Sequence, residues 1–117
     1  MFKLTKRPIY HTMKGKAYTI YNAPEYDEWL EDQPAKSQVQ IHSRISHIQD
    51  EGYFGDHKEV GDGVLELKWK NGRRVYYADI PEKKILLFLG GNKNGQDKDI
   101  RQAKKIFNKH VSSDEEA

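Results

Sequence analysis

A chain of 117 residues without cysteine has room for one domain, and it excludes a disulfide framework as well as thiolate zinc and iron-sulfur sites. Its residues are 36% hydrophobic and 32% charged, with too many aromatic side chains for a disordered chain. The net charge is only +2, and neither a signal peptide nor a membrane span is visible, so we expect a cytoplasmic protein that does not associate with a membrane.

The first part of the chain predicts one strand and two helices. Residues 16–22 are rich in aromatic and β-branched side chains, which indicates a strand. A first helix is predicted from Glu25, and Pro34 ends it. A second helix is predicted to run to about Glu51, because isoleucines recur at spacings of four and three residues and Gly52 follows the pattern. The two helices are expected to form an antiparallel hairpin.

The middle of the chain predicts a loop and a three-stranded antiparallel meander. The loop covers residues 53–63 and is rich in glycine. Residues 64–70 alternate apolar and charged side chains, as a strand with one solvated face does. The turn at Asn71-Gly72 returns the chain into a second strand over residues 73–80. Residues 85–89 are apolar throughout, which is typical of a central strand covered on both faces.

The ends of the chain are predicted from weaker patterns. Asn94 is expected to cap a last helix that has Ile100, Ala103 and Phe107 on one face. Residues 112–117 are predicted to form a frayed acidic tail, residues 1–15 an N-terminal extension, and Pro8-Ile9-Tyr10 a further edge strand. The prediction is therefore one α+β domain over residues 1–117, with its helices packed on one side of the sheet.

The length of the Asn71-Gly72 turn decides which side chains share a face. A two-residue turn pairs Lys70 with Arg73 and places Val75 on the charged face. A three-residue turn, with Gly72 left-handed in a bulge, sets Trp69 opposite Arg73 and keeps the apolar side chains together. We favour the three-residue turn because it leaves one continuous apolar face.

In that register the opposite face gathers two cations, one acid and one phenol: Glu66, Lys68, Arg74 and Tyr76. Fixed cations can hold RNA phosphates while an aromatic ring stacks on an unpaired base. The alternative is an ordinary solvated strand face with cross-strand pairs such as Glu66 with Tyr76. Basic residues also predominate over acids in segments 66–74 and 93–109, which fits a footprint for nucleic acid but also an ordinary surface.

The sequence gives little support to other chemistries. No two of the five histidines have a metal-binding helical spacing with a partnering acid, so we expect no metal site. The segment 90–95 precedes a helix and can hold a phosphate, but it lacks the Gly-Lys-Ser/Thr ending of a nucleotide-binding P-loop. We therefore expect no cofactor.

Four segments carry a resemblance to a known family: residues 55–67, 74–77, 87–93 and 96–100. They resemble, in family order, the "addiction module killer protein" (HigB/RelE-like) branch of the RelE/ParE toxins, over about residues 16–111. The resemblance implies a RelE-like fold and neutralisation by a cognate antitoxin, usually a helix-turn-helix protein in this branch.

The resemblance also implies an activity: metal-independent cleavage of mRNA in the ribosomal A site, by attack of a ribose 2′-hydroxyl on the adjacent phosphate. Such chemistry needs a base, cations for the phosphate and a proton donor for the leaving oxygen. The implied catalytic residues are Lys68, Arg74, Lys58 and Lys93, with Lys68 as candidate base and Arg74 as candidate phosphate clamp. The RNA-binding candidates beside them are Lys70, Arg73, Tyr76 and Gln96.

Two positions depart from the family pattern. Glu66 stands where the best-known RelE has another lysine, and Ile100 stands near the position of its important C-terminal tyrosine, so Tyr76 or Glu66 are candidate substitutes as proton carriers. Fold alone does not select the activity, because the ParE branch shares it and inhibits DNA gyrase without cutting RNA. A degenerate, non-toxic binding subunit is a third hypothesis. The paired Lys68 and Arg74 favour the nuclease.

Overall fold

A computed structural model describes the backbone of residues 11–115 and the side chains of residues 12–110. Pro8-Ile9-Tyr10 therefore lies outside the described residues. The elements follow in the order β1 (His11–Lys14), β2 (Thr19–Asn22), α1 (Pro24–Glu31), α2 (Ala35–Glu51), β3 (His57–Gly61), β4 (Val64–Lys68), β5 (Arg73–Ile80), β6 (Lys84–Asn92), a 3-10 turn (Lys93–Gly95) and α3 (Gln96–Glu115). They form the predicted α+β architecture.

The strands form one six-stranded sheet in the order β1-β2-β6-β5-β4-β3. Strands β3 to β6 are an antiparallel meander, and β2 pairs with β6 in parallel. The central position of β6 explains why residues 85–88 are apolar without alternation and buried on both faces, as predicted. None of the helices in the described part of the chain combines the length and apolar character that a membrane span requires.

Helices cover both faces of this sheet, so the prediction that they pack on one side is wrong. Side chains of α1 and α2 pack on one face, in a core of Ile20, Tyr26, Leu30, Ile41, Ile45, Ile48, Leu67, Val75, Tyr77, Ile85 and Leu87. Side chains of α3 pack on the other, in a core of Ala23, Val64, Tyr76, Ala78, Ile80, Leu86, Phe88, Ala103, Ile106 and Phe107. The physical reason is that β5 and β6 have apolar side chains on both faces, so each face must be packed against helices to exclude water.

The β4–β5 turn has three residues, which confirms the preferred register. Trp69 N donates to Arg73 O at 3.0 Å, and Gly72 N donates to Trp69 O at 3.1 Å. Gly72 has φ +98, a conformation that glycine adopts without the steric penalty of a side chain. Leu67 consequently pairs with Val75 and Lys68 with Arg74.

The structure differs from the prediction at several places along the chain. The strand predicted over residues 16–22 begins only at Thr19, and residues 11–14 of the predicted extension pair with it as β1. The predicted loop 53–63 contains β3, an exposed edge strand held by main-chain pairing with β4. Asn94 does not cap the last helix as predicted, because a 3-10 turn precedes that helix. The cap of this turn is Asn92, whose Oδ1 accepts a hydrogen bond from Asn94 N at 2.9 Å. Helix α3 then continues to Glu115, into the segment predicted as a frayed tail.

Candidate functional site

Strand register places three of the four predicted catalytic residues on one face of the sheet. Lys58 pairs with Glu66 across β3 and β4, and Lys68 pairs with Arg74 across β4 and β5. Paired residues point to the same side, and so do residues two apart on a strand, so Lys58, Lys68 and Arg74 flank Glu66 on the face that α3 covers. We call this the basic face. The structure brings these three candidates together, and their catalytic role stays a prediction.

The start of α3 closes one end of the basic face. Gln96 Nε2 donates to Glu66 Oε2 at 2.7 Å, which makes the predicted RNA-binding residue Gln96 a structural partner of the sheet. The Asp99 carboxylate lies against Gly91, where an added Cβ would stand only 2.0 Å from Asp99 Oδ2. Burial raises the pKa of Asp99. Gly91 is the β6 partner of Arg74, so its missing side chain lets α3 approach beside that arginine.

Glu66 and Tyr76 are not on a solvated surface, because α3 buries both of them. Each is 0% exposed, and each pairs with the other across β4 and β5. Burial and, after it, the neighbouring Glu66 carboxylate raise the pKa of Tyr76, so its phenol stays protonated at neutral pH. The prediction that the Tyr76 ring is open for stacking on a base is wrong in this structure.

The remaining candidates lie around the end of the sheet that carries the β4–β5 turn. Lys93, the fourth catalytic candidate, donates its backbone N to Gly72 O at 2.8 Å and is exposed. Lys70 is exposed within the turn itself. Arg73 instead lies on the α2 side of the sheet, where Nη1 donates to Gln40 Oε1 at 3.2 Å. The structure thus separates Arg73 from the basic face.

Arg44 on α2 contributes to this end of the sheet and was missed by sequence reasoning. Its guanidinium donates to Phe54 O at 3.0 Å, to Asp56 O at 2.7 Å and also to Lys68 O. It stacks over the Trp69 ring at 4.4 Å from the centroid. Burial lowers the pKa of Arg44. The groups that Arg44 binds are backbone carbonyls, which every residue has, so the sequence does not mark them. Its only sign of this contact is an arginine on the polar face of α2.

The described residues contain no cluster of three or more histidine, aspartate or glutamate side chains arranged to hold a metal ion. The basic face presents the side-chain nitrogens of Lys58, Lys68 and Arg74, next to one buried carboxylate. Cations held in place by a rigid sheet can neutralise charge that develops on a bound phosphate.

Comparison with known proteins gives a family and a fold. Residues 28–109 match the family described as "Phage derived protein Gp49-like (DUF891)", and the chain belongs to this family. A Haemophilus influenzae protein described as uncharacterized is 40% identical over 82 residues, which cover 68% of this chain and 82% of that protein. The structure is similar to a chain in the crystal structure of the intact E. coli RelBE toxin-antitoxin complex, with TM-score 0.56 and 16% identity over 65% of this chain and 96% of that one. The RelE-like fold is thereby confirmed.

Proposed function

We propose that this member of the Gp49-like family is the toxin of a type II toxin-antitoxin pair and that it cuts ribosome-bound mRNA. Its family membership and its structural similarity to a chain of a toxin-antitoxin complex support the toxin role. The observation that carries the nuclease role is the shared face of Lys58, Lys68 and Arg74, which the strand register brings together. The finer assignment to the HigB-like branch is part of the proposal.

The basic face can supply the parts that metal-independent cleavage requires. One lysine, for which we propose Lys68 in its neutral amine form, takes the proton of the 2′-hydroxyl as the 2′-oxygen attacks the adjacent phosphorus. Arg74 binds the phosphate oxygens, whose negative charge grows as the new P–O bond forms. The P–O5′ bond then breaks, the 5′-oxygen takes up a proton from water, and the products are a 2′,3′-cyclic phosphate and a 5′-hydroxyl. Lys58 and Lys93 hold neighbouring phosphates.

The proposal includes two macromolecular partners. The ribosome presents the mRNA, and a cognate antitoxin of the helix-turn-helix type neutralises the toxin. Oppositely charged surfaces accelerate such encounters, so both partners are drawn to the basic side of the sheet.

Primer extension on cellular mRNA after induction of the gene tests the activity. Wild-type protein should stop growth and produce new 5′ ends within codons, while Lys68→Ala and Arg74→Ala should reduce cleavage about 100-fold or more. Lys84→Ala, at the opposite end of β6, is the matched control and should cleave as wild type does. Intact transcripts during a full growth arrest would refute the nuclease.

The same induction experiment also separates the two rival functions. Double-strand DNA breaks and an SOS response would instead indicate a gyrase inhibitor of the ParE kind. Normal growth with abundant folded protein would indicate a non-toxic binding subunit.

A further inference from the structure

A buried carboxylate lies among the cations of the basic face. Glu66 is 0% exposed, and one of its oxygens, Oε2, accepts the hydrogen bond from Gln96. The other oxygen, Oε1, has no hydrogen-bond partner among the described residues and lies 3.8 Å from Arg74 Nε. A buried charge is unfavourable unless it is paired. Arg74 is the one cation that forms an ion pair with Glu66 among the described residues, and the neutral, buried Tyr76 hydroxyl lies beside the same carboxylate.

Three different contacts determine how the Arg74 guanidinium is turned. Nη1 donates to Arg73 O at 2.9 Å and to Trp69 O at 3.3 Å, the two carbonyls that flank the β4–β5 turn. Nε is buried without a hydrogen bond and faces Glu66 Oε1 as an ion pair at 3.8 Å. Nη2 has no hydrogen bond within the described residues, and the Arg74 side chain keeps 11% of its surface exposed. One nitrogen therefore remains available to a ligand.

We propose that Glu66 is a positioning residue that orients the Arg74 guanidinium, so that Nη2 points out of the sheet toward an RNA phosphate. The inference rests on the proposed function for the identity of that ligand. Glu66 holds the Nε edge from inside the sheet, while the turn carbonyls hold Nη1. The planar guanidinium cannot rotate without losing one of these contacts.

The same carboxylate connects Arg74 to α3. Gln96 is the first residue of α3, and its hydrogen bond to Glu66 fixes the start of that helix relative to the sheet. Stability alone does not explain an acid here, because apolar side chains of similar volume replace buried ion pairs at little or no cost in stability. The Glu66 carboxylate contributes instead a fixed negative charge that keeps the Arg74 guanidinium from rotating.

The orientation of Arg74 can be measured without RNA. We expect the Nε–Hε signal of Arg74, assigned in proton–nitrogen correlation spectra by its loss in Arg74→Lys, to be separated from those of exposed arginines in the wild-type protein. In Glu66→Gln, which retains the shape and the acceptor for Gln96, it should move to the exposed-arginine position or broaden. Glu59→Gln, an exposed acid on β3, is the matched control and should leave the signal unchanged.

A second measurement connects this orientation to activity. The single-turnover cleavage rate on mRNA-programmed ribosomes should fall about tenfold to 100-fold in Glu66→Gln, because a small misplacement of a clamping group has effects of this size. The protein concentration that gives half-maximal rate should change much less. Glu59→Gln should cleave at the wild-type rate.

The outcomes separate this inference from the nuclease proposal. An unchanged Arg74 signal in a folded Glu66→Gln protein overturns the positioning role, and so does a moved signal with an unchanged cleavage rate. If the wild-type protein cleaves no RNA at all, the nuclease proposal fails, and the Arg74 signal by itself still decides whether Glu66 orients the guanidinium. A circular dichroism melt of each variant shows that it is folded.

Discussion

Arg44 Nη1 donates a hydrogen bond to the carbonyl oxygen of Lys68, so an arginine on α2 holds the residue that ends β4. The same guanidinium binds the carbonyls of Phe54 and Asp56, which lead into β3. Lys68 N in turn donates to Asp56 O at 2.9 Å. A single side chain on one face of the sheet therefore fixes the backbone from which Lys58 and Lys68 extend on the other.

Replacement of Arg44 by alanine should destabilise the protein. The change removes hydrogen bonds to three carbonyl groups and the packing on Trp69, so we expect a loss of about 2 to 4 kcal/mol in the free energy of unfolding, measured by denaturant titration. Arg101→Ala, at an exposed position on α3, is the control and should change it by less than about 0.5 kcal/mol. Equal effects of the two substitutions would contradict this role of Arg44.

Gly91→Ala should destabilise the protein through a clash with Asp99, because the new Cβ would stand 2.0 Å from Asp99 Oδ2. The expected cost is about 1 to 3 kcal/mol, the usual range for overpacking. In an Asp99→Ala background the obstacle is absent, and the same change should be neutral or stabilising, since alanine loses less entropy on folding than glycine. A double-mutant cycle of unfolding free energies measures the coupling, and purely additive effects would contradict the contact.

The contact between Glu25 of α1 and His110 of α3 should weaken in acid. Glu25 Oε1 lies 3.3 Å from His110 Nε2. Burial by itself raises the pKa of Glu25, but hydrogen bonds from its own backbone and from His110 outweigh it, so the pKa lies below its ordinary value of 4.5. A carboxyl group whose pKa is lower in the folded state stabilises the fold at pH values above its ordinary pKa. This contribution disappears as the pH falls through the folded-state pKa.

We therefore expect Glu25→Gln to be less stable than wild type at pH 7, with the difference shrinking toward pH 3. Denaturant titration at a series of pH values measures it. In a His110→Gln background the same substitution should have a smaller effect at pH 7. A difference that is constant over the pH range would show that the carboxylate charge contributes nothing at this contact.

The antitoxin and the ribosome are expected to compete for the basic face. Lys68→Glu and Arg74→Glu should then weaken both RNA cleavage and antitoxin binding, most strongly at low salt, because ions screen exposed charges beyond about 10 Å at 0.1 M. Titration calorimetry with the cognate antitoxin from low to high salt measures the second effect, with Lys84→Glu as control. Unchanged antitoxin affinity in variants that have lost activity would show that the two partners use separate surfaces.

The sequence was sufficient to predict the strands in which apolar and charged side chains alternate. Leu65, Leu67 and Trp69 alternate with charged residues. Only a three-residue turn places their apolar partners on β5 on the same face, so the pairing of Lys68 with Arg74 could be predicted. Gly52, with φ +68, ends α2 as its position after the isoleucine pattern predicted.

What depends on distant contacts could not be predicted in the same way. Nothing in the local pattern of β4 and β5 shows that α3 covers Glu66 and Tyr76, although Tyr76, Ala78 and Ile80 repeat at the spacing of a second apolar face. Strand β3 was missed because its exposed residues do not alternate with apolar ones, and its pairing with β4 uses the main chain. The same limit applies to Arg44, whose partners are carbonyl oxygens.

The parallel pairing of β2 with β6 sets an order of events during synthesis. Thr19 pairs with Lys84, and β6 separates β2 from the rest of the meander, so β1 and β2 have only each other as neighbours in the sheet until β6 is made. Contacts between residues so distant in sequence form slowly, because the intervening chain loses much conformational freedom first. A partly synthesised chain thus lacks the frame that holds Arg74 between β4 and β6, and the basic face is complete only after β6 and the start of α3 have left the ribosome.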